Sequence, residues 1–573
     1  MCCGCPREVG CSIEHSGAGP LRPTSAGGGS VVAVSREQSY ADLPMSESNG
    51  TKSSLAADLK QSTEVFAVHG VEPEVQAYAM AKYSRSALSM KESLKEINEQ
   101  KAEQFLNTFY FQYGHRSIAD LAHIPLAIER LSILAAIALV DEQRWDGQER
   151  STRYQNFKKS GFYIPEFASD GDRKLYIETL QFFFSEYEYF SDEMARYLAT
   201  QVPKPAEMTQ EAYQRTLRAR AFDISRYLLP LATNTSLGQI VNARTLETQI
   251  SRLLSHTHSE VRQLGEGLRQ AARSAAWNIN EHPYRKLIDE IAAINPELAS
   301  RARDVLLKEV KVAPTLVKYA EANRYEMETR RELKQSLREL MAADPTIQDG
   351  RNIEDHFVVD LLEDEPLEVE LATTLLYGAG HYSYRQIRER VKSLSATRRD
   401  EIIDIGLRHR GKHDGLLRPF GAGQAFRFDI LMDIGGFRDM HRHRRCIQIE
   451  QEFTNLNGWD TPEELAAAGL ADRYRKTMLL ASDRYDWFSA LDDSNAKQNA
   501  QYVLPLAYKK RTLFKMDFAE VLYIAELRTT PAGHRSYREV AYAMYEAVAR
   551  RHPSLAKYFR VHDVREPVDL LKR

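Results

Sequence analysis

The chain has 573 residues, 43% hydrophobic, 27% charged and 9% aromatic, which excludes a fibre and a wholly disordered chain. Lys and Arg total 77 against 80 Asp and Glu, giving a formal net charge of -3, so no chain-wide positive field gathers nucleic acid or acidic membrane. Leu131 to Val140 is the longest strongly apolar run. It reaches only about half of what a membrane-spanning helix needs, which excludes a bilayer crossing.

Residues 1–55 read as a disordered tail, because Gly, Ser and Pro dominate Ser16 to Gly29 and no uninterrupted apolar stretch suggests a secretory signal. Cys2, Cys3, Cys5 and Cys11 crowd this tail, but no matching pair of His or Cys follows to close a four-ligand site, and no metal is expected. Met45, followed by Ser-Glu-Ser-Asn-Gly, offers a second possible start. Only Cys446 lies in the body of the chain, so no disulfide framework can form and a reducing, cytoplasmic setting is expected.

Beyond the tail, Leu126, Ile128, Leu131, Leu134 and Ile137 recur at helical spacing. Further on, Tyr227-Leu228-Leu229-Pro230-Leu231-Ala232 returns as Tyr502-Val503-Leu504-Pro505-Leu506-Ala507, and each copy precedes a helical pattern ending at a His-Pro pair, His282-Pro283 and His552-Pro553. The repeat divides the chain into related modules, 56–300 and 350–573. Dense mixed charge from Arg301 to Asp344 reads as a solvated helical linker within 301–349. In the second module, Ala425 to Ile430 alternates like a half-buried strand, and Gly435-Gly436 interrupts the segment after it. The fold class is α+β and helix-rich.

The segment Arg438-Asp439-Met440-His441-Arg442-His443-Arg444-Arg445 packs four arginines beside two histidines. Such a run is by default a solvated basic face, as the similar triplet Arg408-His409-Arg410 illustrates; at an element end it suits a phosphate or an electron-rich ring instead. His256 and His258 are assigned no metal, because residues two apart on a helix face different sides.

The Arg442-His443-Arg444 triplet resembles the signature of the flavin-dependent thymidylate synthases, which continues after seven residues through Ser and Arg-Tyr. Here those two positions hold Glu452 and Thr454. Glu149-Arg150-Ser151-Thr152-Arg153-Tyr154 looks like the family's Glu-x-Ser-x-Arg-Tyr, but Asp141-Glu142-Gln143 replaces the triplet before it. Gly114-His115-Arg116-Ser117, Arg226 before Leu-Leu-Pro, Asn242 and Arg244 also stand at family spacing. The second module has Gln501, Asp517 and Ala519 for the last three. A final family arginine is Leu253 in the first module and Arg528 in the second, and Asp439 takes the place of a glutamine.

These losses are complementary, so the resemblance implies one composite site. Glu149, Ser151, Arg153 and Arg226 would come from the first module, and Arg442, His443, Arg444 and Arg528 from the second. The implied activity is reductive methylation of dUMP to dTMP with methylenetetrahydrofolate and NADPH or NADH. Arg442 is the implied catalytic group; Glu149, Ser151, Arg153, Arg226 and Arg528 join it in binding the nucleotide, while His443, Arg444, Asn242 and Arg244 hold FAD. A homodimer of four modules would replace the family's homotetramer. The alternatives are a flavoenzyme methylating or reducing another pyrimidine nucleotide, and an inactive nucleotide-binding assembly protein.

Overall fold

Among the described residues, seven strands and their capping residues set the architecture. The structure, a computed structural model, describes residues 70–82, 91, 106, 116–157, 160–342, 358–362, 366–411, 417–420, 426–557 and 559–571. The cysteine-bearing tail and His115 lie outside these residues.

Strand β1 (His123–Ser132) buries Ile124, Ile128 and Leu131 and bulges at Arg130, whose φ is +62°. The stripe read as one helix over 126–137 is therefore a strand followed by the helix Ile133–Val140. Alternation of buried and exposed positions along the first half outweighs the helical spacing. Ser132 marks the switch: its hydroxyl accepts from Ala135 N at 2.9 Å and caps the helix. Strands β2 (Asp146–Glu149) and β3 (Asn234–Asn242) complete an antiparallel sheet of order β1-β3-β2. Gly147 is required there, since a Cβ would lie 2.4 Å from Gly238 O and 2.6 Å from the Trp145 ring.

The second half repeats the succession. Strands β4 (Val359–Leu361), β5 (Phe426–Asp433), β6 (Ile447–Glu450) and β7 (Lys509–Met516) form an antiparallel sheet of order β4-β5-β7-β6. Ser132 pairs with Asn234 in one sheet as Asp433 pairs with Lys509 in the other, and both Ser132 and Asp433 cap the helix that follows. This common register makes Asp141 the counterpart of Arg442, and Gln501 that of Arg226.

Strand β5 is buried on both faces rather than half-buried. The helix Leu367–Tyr377 covers its polar side, where Arg427 meets Glu370 at 3.0 Å, Arg511 meets Asp429 at 3.0 Å and Tyr377 donates to Asp429 at 2.7 Å. Pairing is what makes those charges tolerable inside. Gly435 and Gly436 do not interrupt the chain; they lie within the helix Ile434–Met440. His282-Pro283 likewise opens the helix Glu281–Ala292, where a proline in the first turn loses no bond.

The repeated hexapeptides pair with each other. Leu231 N donates to Leu504 O at 2.9 Å and Leu506 N to Leu229 O at 3.0 Å, while Ala232 N reaches Tyr502 O and Ala507 N reaches Tyr227 O. Pro230 faces Pro505 across this antiparallel bridge, so a local two-fold relation joins the halves. One hydrophobic cluster runs through both, from Ile124 and Leu228 to Leu504 and Met544. The charged segment between the halves is no single solvated helix. Pro296–Leu306 and Arg324–Ala342 are separate helices, and the latter buries Tyr325, Leu333, Leu337 and Met341. No helix among the described residues is long and apolar enough to cross a membrane.

Candidate functional site

Arg153 follows β2 in a short loop, and Arg226 follows the helix Gln210–Ser225, just before the first hexapeptide. The helices Ile434–Met440 and Phe518–Arg528 bring Asp439 and Arg528 from the other half, and Arg442 comes two residues after the first of them. Arg153 Nε lies 2.8 Å from Asp223 Oδ1, and its Nη1 donates to the Tyr537 hydroxyl at 2.9 Å. Arg226 is only 1% exposed. Its Nη1 stands 3.7 Å from Asp439 Oδ2, and its Nε and Nη2 have no hydrogen-bond partner. Burial would push the Asp439 carboxyl up, but Arg226, Arg442, Arg153 and Arg528 together hold it below the usual carboxylate range.

The structure therefore brings Arg153, Arg226, Arg442 and Arg528 around one carboxylate. With Asp223, Asp439 and Asp433, which also faces Arg226, set against four guanidiniums, one positive charge is left over, which favours an anionic ligand. Gly436 lets the helix Ile434–Met440 approach, since a Cβ there would lie 2.4 Å from Ser536 Oγ. Glu149 is bound to Arg438 of the other half, and Ser151 Oγ accepts from Arg153 N at 3.2 Å.

His443 accepts from Arg528 Nε at 2.8 Å, and its Nδ1 lies 3.5 Å from Glu520; burial and Arg528 keep the ring below the usual histidine range. Arg444 lies over the Trp145 ring at 4.4 Å, and its buried Nε has no partner. Asn242 accepts from Thr245 N at 2.8 Å as a helix cap, and Arg244 pairs with Asp120 at 3.1 Å. Among the described residues no hydrogen bond or ion pair joins Asn242 or Arg244 to His443 or Arg444.

Sequence reasoning missed Asp223, Tyr537 and Trp145. Asp223 stands close to one helical turn before Arg226, a spacing that could have signalled it. Nothing local marks Tyr537. In the other basic triplet, Arg408 is bound to Glu332 at 3.1 Å near the surface, and His409 meets the same carboxylate. Asp141, His441 and Glu450 offer ligand atoms within 4.8 Å of one another. Arg418 on Asp141 and Lys510 on Glu450 already neutralise both carboxylates, which disfavours a cation there.

Cys446 is buried, donates to His443 O at 2.8 Å, and has its thiol pushed up to about 12 by burial. A thiol held protonated is a poor nucleophile. Cys446→Ala should retain turnover in a steady-state assay, whereas abolished turnover in a folded variant would give the thiol a chemical role.

The family described as thymidylate synthase complementing protein matches residues 67–276 and 359–554. A UPF0159 protein of Chlamydia muridarum is 28% identical over 88% of this chain and 92% of its own length. A UPF0159 protein of Thermoplasma acidophilum is 25% identical over 84% and 94%. The flavin-dependent thymidylate synthase of Clostridium tetani is 24% identical over 36% of this chain and 80% of its own. The crystal structure of thymidylate synthase X from Helicobacter pylori with FAD and dUMP is 15% identical, covering 36% of this chain and 93% of that one at a TM-score of 0.24.

Proposed function

The chain belongs to the family of thymidylate synthase complementing proteins through both of its halves, and from that premise we propose a flavin-dependent thymidylate synthase with one composite nucleotide site per chain. The reaction is reductive methylation of deoxyuridylate, with methylenetetrahydrofolate as carbon donor and NADPH or NADH as reductant. The observation that carries this reading is Arg226, fully buried with two donor nitrogens unpartnered, where arginines of both halves converge. A buried cation without hydrogen bonds is costly unless a ligand completes it.

Arg153, Arg226 and Ser151 hold the phosphate, helped by Arg528. Arg442 faces the pyrimidine and stabilises negative charge developing on a ring carbonyl oxygen. Glu149 orients this set through Arg438. His443, Arg444, Asn242 and Arg244 would hold FAD, and the orphaned Nε of Arg444 fits an acceptor from such a group. When bound, the flavin supplies the hydride chemistry, so no protein nucleophile is needed. A homodimer of four modules would let Asn242 and Arg244 of one chain complete the flavin set of the other. We place the protein in the cytoplasm.

Asp439 favours a second reading, in which another pyrimidine nucleotide is the substrate. A carboxylate accepts hydrogen bonds but cannot donate them, so it suits a base edge bearing an amino group better than a carbonyl. Purified protein distinguishes the readings. Denaturation should release flavin, and deoxyuridylate should be methylated; turnover of deoxycytidylate alone would move the assignment to the second substrate, and absence of both flavin and nucleotide binding would sink the enzyme reading.

A further inference from the structure

The two-fold relation between the hexapeptides carries the arginine cluster onto a second place in the fold. A cavity of about 1010 Å³ lies there. It is lined by Ala138, Asp141 and Gln501, the counterparts of Asp439, Arg442 and Arg226. The phosphate cradle has thus been removed at this position. The counterparts of Arg153 and Arg528 are Thr454 and Leu253, so none of the four guanidiniums has a cationic equivalent.

The hollow has not been filled by larger side chains. Instead the helix Arg324–Ala342, which lies outside both family matches, supplies a third wall. Its Lys334 is bound to Glu452, while Arg418 takes Asp141 and Lys510 takes Glu450. Among the described residues the lining carries as many basic as acidic side chains, so a dianion gains little there. Among the described residues of the lining, three neutral groups are buried without a partner: Thr329 Oγ1, Gln451 Oε1 on a residue 2% exposed, and His258 Nε2. Gln451 Nε2 is already used by Tyr382 O at 2.9 Å. Leu134, Ile137 and Leu375 add apolar surface. Burial holds His256 and His258 below the usual histidine range, so these rings add no charge near neutrality.

We propose that this cavity is a second ligand site, taking an uncharged molecule of nucleoside size with both hydrogen-bond donors and acceptors. Its volume is at the upper end of ligand pockets, roughly 300–1,000 Å³, and its free hydroxyl and free carbonyl match such a molecule. A cation is disfavoured because Asp141, Glu450 and Glu452 are already paired, and an anion because acidic and basic side chains balance along the wall.

Equilibrium dialysis of the full chain with labelled deoxyuridine, with and without saturating deoxyuridylate, tests this. Deoxyuridine should bind alongside the nucleotide and equally well to Arg226→Met. Thr329→Val removes a hydroxyl that has no partner, so the fold should not suffer, and affinity should fall roughly tenfold. Ala138→Phe fills the cavity from a half-buried position and should abolish binding. The proposal is overturned if no deoxyuridine is retained, if deoxyuridylate displaces it, or if both variants bind like the parent. Intact deoxyuridine binding with no deoxyuridylate binding would overturn the proposed activity alone and leave the second site standing.

Discussion

Arg226→Met should weaken deoxyuridylate binding by about 100-fold to 10,000-fold while leaving the melting temperature nearly unchanged, because two charge-assisted hydrogen bonds are lost at about 1.5–3 kcal/mol each. The unusual half of this expectation is the unchanged fold. Arg226 is 1% exposed, yet its nearest ion pair is to Asp439 at 3.7 Å and its Nε and Nη2 have no partners. A guanidinium buried with two donors unpartnered carries their desolvation cost, which an apolar side chain of similar length removes. Asp439 keeps Arg153, Arg442 and Arg528 as counter-charges, and Asp433 keeps the hydrogen bonds from Ser536 Oγ and Gly436 N. Isothermal titration and thermal unfolding of the same preparation read both halves. A large loss of stability would make Arg226 a structural residue, and unchanged affinity would remove it from the nucleotide site.

Arg442→Lys should act on turnover instead. Arg442 is exposed beside Asp439, and Arg444 carries a like charge near it. Lysine keeps the charge but loses the planar fork, and a misplaced donor at a developing oxyanion costs roughly 100-fold or more in turnover. The Michaelis constant for the nucleotide should move little, since the phosphate is held by Arg153 and Arg226. Arg408→Lys is the control, because its partner is Glu332 near the surface. If Arg408→Lys were crippled and Arg442→Lys silent, the pairing of motifs in the second half would be wrong.

Much of this arrangement was legible because motifs with fixed spacing survive in one half or the other. The hexapeptide repeat at Tyr227 and Tyr502 identified two related halves, and the structure uses those same residues to join them. Local periodicity was a poorer guide. Ile128 and Leu131 fit a helical spacing but lie in β1, where pairing with β3 decides the conformation. Arg427 and Asp429 looked like the polar side of a half-buried strand, yet Glu370 and Arg511 neutralise them beneath a helix that sequence spacing could not place. The arginines proposed to bind the nucleotide were marked by motifs resembling those of the family, whereas Asp223 and Tyr537 enter through tertiary contacts with Arg153. The charged connector misled for a similar reason. Its helix Arg324–Ala342 has mixed charge on its outer side, but Leu333, Leu337 and Met341 belong to a core with the helix Leu367–Tyr377.

The central claim is that one nucleotide site is built inside each chain from both of its halves. Its most direct test mixes inactive chains carrying Arg226→Met with inactive chains carrying Arg442→Ala, unfolded and refolded together so that mixed dimers form. Every site in such a dimer retains one defect if both arginines of a site come from the same chain, so the mixture should stay as inactive as either variant. Recovery of a substantial fraction of parental turnover would show that Arg226 and Arg442 meet across two chains, and would contradict the composite site.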